Sequence, residues 1–219
     1  MIKPDAYPAM GSIIDLILAN NLVINKLKMS RFTKKSAAQF YKEHVGKAFY
    51  PNLEALMTSD VCIGMELVGP DAVSKWREII GPTDPAVAQA QAPGSIRALY
   101  GTDGTKNAVH GSDSIGSYKV EYDFWFSGQD VAARPMQTTA VLDNCTLSLI
   151  KPHILKEGKC GQVIEAILGS GFEISAMEMF NLSRPVVEEF YDVYKGVLPE
   201  YLPLVENLSS GPVIALEVR

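Results

Sequence analysis

Val61, Ile63, Met65 and Leu67 alternate with Cys62, Gly64, Glu66 and Val68, the period of two that a pleated strand imposes on its side chains. Residues 11–20 are apolar enough to form a helix that covers one face of a sheet, and residues 22–29 read as a strand. Thr33-Lys34-Lys35-Ser36 opens a helix that carries Phe40 and Tyr41. Asp71 fits an N-cap, and Val73, Trp76, Ile79 and Ile80 then recur at helical spacing until Gly81 closes the helix. Arg77 falls off that apolar stripe, so it is free to project into a site. The sum, β-α-β followed by β-α-β, predicts an α+β fold of the ferredoxin-like kind, an antiparallel sheet with helices packed on it.

The pattern occurs twice. Ile2-Lys3-Pro4-Asp5 returns as Ile150-Lys151-Pro152-His153, residues 24–29 return as 174–179, Phe40-Tyr41 returns as Phe190-Tyr191, and residues 60–68 return as 211–218. A period near 150 residues indicates duplicated domains; solenoid repeats run about 20–50 residues. The expected boundaries are a first domain over 1–126, a linker over 127–137 that lacks apolar periodicity and contains Gly and Pro, and a second, C-terminally incomplete domain over 138–219. The apolar strand at 213–218 is expected to lie at an open sheet edge, leaving 138–219 dependent on a neighbour for stability.

Composition narrows the function classes. Hydrophobic residues at 47% and charged residues at 21% are those of a globular protein. A net charge of −5 and a pI near 5.3 argue against a general nucleic-acid binder, yet leave room for a local cationic pocket. Cys62, Cys145 and Cys160 have no metal-ligand spacing and read as reduced thiols. There is no apolar run of about 18 residues and no secretory signal pattern, so neither a membrane partner nor export is expected and a cytoplasmic location is.

The chemistry concentrates in Asn107-Ala108-Val109-His110-Gly111-Ser112-Asp113-Ser114, which sets one histidine between glycine, a hydroxyl and a carboxylate. Histidine becomes a nucleophile when a neighbour fixes its tautomer. There is no Gly-x-x-x-x-Gly-Lys loop, so phosphates would have to be held by cationic side chains. Taken singly, Lys3 and Arg97 read equally as surface charges, Phe49 and Tyr41 as core, and Glu121 as a solvated helix residue.

Together these residues resemble the nucleoside diphosphate kinase family. The resemblance spans residues 2–126. It comprises Ile2-Lys3-Pro4-Asp5-Ala6, Phe40-Tyr41, Phe49-Tyr50, Trp76-Arg77 with Gly81-Pro82-Thr83-Asp84-Pro85, Pro93-Gly94-Ser95-Ile96-Arg97, the histidine octapeptide, and Glu121 with Phe124-Trp125-Phe126. It implies a ping-pong transfer of the γ-phosphoryl group of ATP to nucleoside diphosphates through phospho-His110, with magnesium carried by the nucleotide phosphates and not by protein ligands. It also implies roles: Glu121 and Ser112 orient the imidazole, and Lys3 and Tyr41 contact the transferring group. Arg77, Thr83 and Arg97 would hold the β-phosphate, Asn107 the ribose, and Phe49 the base. In the second repeat Lys151 and Tyr191 match Lys3 and Tyr41, Glu200 stands at the Phe49 position, and counterparts of Arg77, Thr83, Arg97, Asn107 and His110 are lacking. The tandem arrangement, with residues 171–177 and 188–196, is most similar to a ciliary member of the family. That likeness implies a cytoskeletal, axonemal setting with tubulin and other axonemal proteins as partners, and admits a structural microtubule-associated role with a vestigial nucleotide site as the alternative.

Overall fold

A computed structural model describes residues 1–127 and 136–219; most of the expected linker, 128–135, lies outside the described residues. The first repeat contains α1 (Met10–Ala19), β1 (Val23–Arg31), α2 (Lys34–Phe40), α3 (Tyr50–Met57), β2 (Val61–Val68), α4 (Ala72–Ile80), α5 (Pro85–Gln91), α6 (Ile96–Tyr100) and α7 (Ile115–Phe126). The second contains β3 (Thr146–Ile150), α8 (Pro152–Lys156), α9 (Cys160–Gly169), β4 (Ile174–Asn181), α10 (Arg184–Phe190), α11 (Tyr201–Leu208) and β5 (Pro212–Val218).

One antiparallel sheet runs through both repeats in the order β2-β1-β4-β5-β3. The outer strands of the first ferredoxin-like unit are reduced to single bridges, Ile2 to Ile63 and Ile2 to Val109. The duplication extends to register: Ile2 pairs Ile63 just as Ile150 pairs Ile214. β5 does not form the expected open edge. It is paired along its length to β4 on one side and β3 on the other, so residues 213–218 are interior.

The period-two pattern turns Leu27, Met29 and Ile63 of one repeat, and Met177, Ile214 and Leu216 of the other, toward the same face. There they meet Ile13, Ile14 and Ile17 of α1 and Ile164 of α9 in one continuous core. Cutting any of these to Ala would cost about 2–5 kcal/mol. α1 and α9 approach closely at two glycines. A Cβ on Gly11 would stand 2.6 Å from Gly161 O, and one on Gly161 would stand 2.4 Å from Gly11 O, so neither position accepts a side chain without parting the helices.

The opposite face of the first repeat is covered by Leu53 and Met57 of α3 and Phe124 and Trp125 of α7, with Phe32 and Tyr41 from the segments flanking α2. Trp125 lies so close to β2 that a Cβ at Gly64 would sit 2.3 Å from its ring. Thr33 caps α2 in a reciprocal pair with Ser36. Asp71 occupies the N-cap position of α4 but makes no capping bond, because its backbone is left-handed (φ 49°) and turns the side chain off the helix axis. Residues 86–91 of the loop between Thr83 and Arg97 are helical, as α5.

Candidate active site

The histidine loop is held against the start of the chain. His110 N donates to Met1 O at 2.9 Å, and Lys3 N donates to Ala108 O at 2.8 Å. Between them Ala108 adopts a left-handed backbone (φ 67°), a conformation costing a β-carbon residue about 1–2 kcal/mol. Its N–H is held at 2.9 Å by Asp5 Oδ2. That twist aims the His110 side chain into an open cleft of about 800 Å³, within the range of small-molecule sites.

His110 Nε2 lies 2.9 Å from Glu121 Oε1, and Ser112 Oγ donates to Glu121 Oε2 at 2.8 Å. Burial works to raise the Glu121 pKa, but the bonds and charge of His110 and the Ser112 hydroxyl outweigh it and leave the carboxyl lowered. Burial drives the His110 pKa below its ordinary value despite Glu121. The imidazole is therefore neutral at pH 7. With Glu121 ionised, Nε2 carries the ring proton and the Nδ1 lone pair is the free one. Ser112 touches Glu121 and not the ring; it faces a second cavity of about 90 Å³ behind His110, too small for a nucleotide.

Four cations line the cleft: Lys3, Lys42, Arg77 and Arg97. None of them has an ion-pair partner among the described residues. Lys3 is buried and donates to Asn107 Oδ1 at 2.6 Å and to Thr105 O at 2.9 Å. Burial lowers its pKa to about 8 although Asp5 pulls the other way. Arg97 is fixed by Nη1 to Gly81 O (2.9 Å) and Nη2 to Val109 O (3.2 Å), and its buried Nε has no partner. Its pKa falls to about 10, first through burial and then through repulsion from Arg77, so it stays charged. Arg77 and Thr83 are exposed at the same cleft. An anion placed there would relieve the mutual repulsion of the guanidinium groups and find a planar fork to bind.

Asn107 is also buried; its Nδ2 donates to Thr83 O and Gly104 O, each at 3.1 Å, so its amide braces the cleft wall. The Tyr41 ring stands edge-on to the imidazole with centroids 5.8 Å apart, and its hydroxyl donates to Met57 Sδ at 3.7 Å. Burial holds that phenol well above 10. Phe49 is 47% exposed at the cleft mouth, unlike a core aromatic. His44 fills the space between, stacked on Tyr41 and edge-on to Phe49.

Every candidate from the sequence thus converges on His110, with Ser112 one contact removed. Two contributors escaped sequence reasoning. Asp5, within the Ile-Lys-Pro-Asp motif, holds the strained Ala108. His44 lies next to Phe49 only because the chain folds back between α2 and α3. In the second repeat Lys151 and Tyr191 are present, but among the described residues no histidine loop is brought to them.

The sequence model described as nucleoside diphosphate kinase matches residues 1–131 and 144–219. The chain is 43% identical over all 219 residues to nucleoside diphosphate kinase homolog 7 of Rattus norvegicus, and 42% to that of Mus musculus. It spans 55% of the length of each. It is 44% identical over 133 residues, 60% of this chain and 94% of the other, to the nucleoside diphosphate kinase of Aquifex aeolicus. A crystal structure of the Aquifex aeolicus enzyme superposes with a TM-score of 0.56 at 45% identity, covering 58% of this chain and 92% of that one. With the fold, the family match over both repeats and the full-length identity in agreement, the chain belongs to the nucleoside diphosphate kinase family.

Proposed function

We propose that the first repeat is a working nucleoside diphosphate kinase whose phosphoryl carrier is His110. The observation that carries this reading is the His110 imidazole, held at Nε2 by Glu121 Oε1 at 2.9 Å, in a cleft where Lys3, Arg77 and Arg97 have no ion-pair partner among the described residues. Nδ1 attacks the γ-phosphorus of a nucleoside triphosphate; the N–P bond forms as the bond to the β–γ bridging oxygen breaks, and the diphosphate leaves with that electron pair. Positive charge appears on the ring and is stabilised by Glu121, which Ser112 holds in place. A second diphosphate then attacks the phosphorus with a terminal oxygen of its β-phosphate, and the imidazole departs neutral.

Lys3, Arg77 and Arg97 supply the charge that phosphoryl transfer needs, most of which is positioning and electrostatics. Magnesium enters as part of the substrate, on its phosphates; Lys3, Arg77, Arg97 and the Asn107 amide suit the phosphates, and among the described residues no cluster of three carboxylate, histidine or cysteine ligands forms there for the metal. Thr83 and Asn107 complete the phosphate and ribose side. Phe49, with His44 behind it, presents a ring face to the base, and stacking of that kind tolerates every base. The likeness to the ciliary member extends the proposal to an axonemal setting beside tubulin, which co-sedimentation with assembled microtubules tests; a chain left wholly in the supernatant would remove that part.

Incubation with γ-labelled ATP is expected to give an acid-labile, base-stable label on the protein that chases into added diphosphate. Retention of the label in His110→Ala would sink the assignment. No label on the parent would favour a structural role for both repeats.

A further inference from the structure

The two repeats meet about a pseudo-two-fold axis, and the residues lying on that axis are each other's equivalents. Gly11 of α1 packs on Gly161 of α9, and Lys28 of β1 pairs with Glu178 of β4; both pairs are separated by 150 residues in the chain. β1 and β4 join the two halves of the sheet at that second pair. Residues on such an axis have a special property. If two first repeats associated through this surface, position 28 would face itself. If two second repeats did so, position 178 would face itself. Only a first repeat against a second sets lysine opposite glutamate.

We infer that Lys28 and Glu178 select the partner of this surface, so that a first repeat accepts a second repeat and rejects another first repeat. The geometry makes the discrimination sharp. Lys28 Nζ lies 3.6 Å from Glu178 Oε1, and the Lys28 side chain is only 5% exposed. Residues after the undescribed stretch cross the seam: Ser30 Oγ donates to Gln137 O at 2.6 Å, and Thr139 Oγ1 donates to Ser175 O at 2.5 Å. A buried lysine facing a second lysine in an antiparallel pair can neither reach water nor find an acid, and like charges directly opposite destabilise the ladder.

The other axial contacts cannot discriminate. Gly11 and Gly161 are identical, and the neighbouring carboxylates Asp15 and Glu165, also equivalent, are both acidic. Glu165 Oε1 accepts from Ser12 N and Ser12 Oγ, and Asp15 faces the backbone of Gly161 and Gln162 across the seam. The duplication has therefore diverged in charge at the axial position where divergence decides which pairing is allowed. A chain with two sticky, nearly equivalent halves can otherwise close on a neighbour, first half to first half and second to second, as readily as on itself.

The test is a charge-reversal cycle in the full chain, read by thermal unfolding and by light scattering after size exclusion. Lys28→Glu and Glu178→Lys are each expected to lower the unfolding midpoint by about 5–10 °C. The double variant K28E/E178K is expected to return within about 2 °C of the parent. If the single variants do not fold, recovery of a folded double variant carries the same weight. A double variant no better than the sum of the singles would overturn the pairing. Selection is separated from stability by K28M/E178M. An apolar pair where Lys28 is buried and Glu178 is 30% exposed keeps the midpoint within a few degrees. Its share of two-chain species is nevertheless expected to exceed the parent's at equal concentration, because neither homotypic pairing is penalised. An unchanged share would show that the pair only stabilises and does not select.

Discussion

Glu66 of the first repeat and Glu217 of the second occupy the same place in β2 and β5 and are used for different ends. Glu66 accepts from Asn25 Nδ2 (2.5 Å) and from the phenol of Tyr118 on α7 (2.6 Å), the helix that also carries Glu121. Glu217 accepts from Ser175 Oγ, the equivalent of Asn25, at 2.6 Å, and then from Val141 N and Leu142 N of the segment leading into β3. The Ser175 hydroxyl and those backbone N–H groups pull its pKa to about 2. One repeat therefore spends this carboxylate on anchoring the helix behind a nucleophile, and the other on anchoring its own entry segment. Phe40 and Phe190 differ in the same way. Phe40 lies 5.1 Å from Phe124 and 5.2 Å from His110, whereas Phe190 is 47% exposed. The lesson is that a common sheet assembles a His110-type cleft only where a loop and helix are docked on it.

The sharpest way to break the comparison is to remove the same cation from each repeat. Lys3→Met is expected to lower kcat/KM by roughly 10²–10³, the usual cost of one electrostatic contact to a transferring group. Lys151→Met should leave it unchanged in the same assay. A comparable loss from both would mean that the second repeat takes part in the reaction.

A pH profile of kcat/KM comes next, because it reports the free protein's groups. Lys3 must be protonated to bind phosphate and its pKa is about 8, so activity is expected to fall about tenfold per pH unit above 8. On the acid side the rate is lost as pH drops through the pKa of His110, which burial lowers from its ordinary value, since protonation removes the Nδ1 lone pair. In Lys3→Arg the basic limb should move up by about two units, to where Arg97 titrates near 10. An unmoved limb assigns it to another group.

The smallest effects exchange residues between equivalent strand positions. Gly64→Ala forces a Cβ into the Trp125 ring and is expected to destabilise by about 1–3 kcal/mol in denaturant unfolding. Ala215→Gly in β5 has no such ring to accommodate and should cost only about 0.5–1 kcal/mol through added backbone freedom. Equal losses would show that Trp125 gives way freely.

Much of the site was legible because its residues come in contiguous motifs: the octapeptide around His110 names the loop, and Glu121 follows one helix later. The period of two in residues 61–68 and the 150-residue repeat likewise announced β2, β5 and the duplication. The joining of the sheets across Lys28 and Glu178 was not legible, since side-chain alternation tells which face of a strand is buried and nothing about which strand lies beside it. For the same reason residues 213–218 read as an edge although they are flanked on both sides. Asp71 has the right residue type for a cap, but its left-handed backbone is set by the turn before α4 and not by its own propensity. Asp5 was visible in a motif, yet its task of holding Ala108 depends on a contact more than a hundred residues away.

The backbone pairing of residues 1–3 with 108–110 has a mechanical consequence. A residue zipped to a strand edge has little room to travel, and the amide hydrogens of Lys3 and His110 should exchange as slowly as those of the sheet. Reorganisation during turnover then has to occur in the opposing wall, residues 42–49, where most side chains are exposed. Under the proposed mechanism the cleft would work like a vice with one fixed jaw: the histidine would keep still while the wall bearing His44 and Phe49 opened to exchange one nucleotide for the next, and the pace of that movement would cap turnover whenever phosphoryl transfer itself is fast.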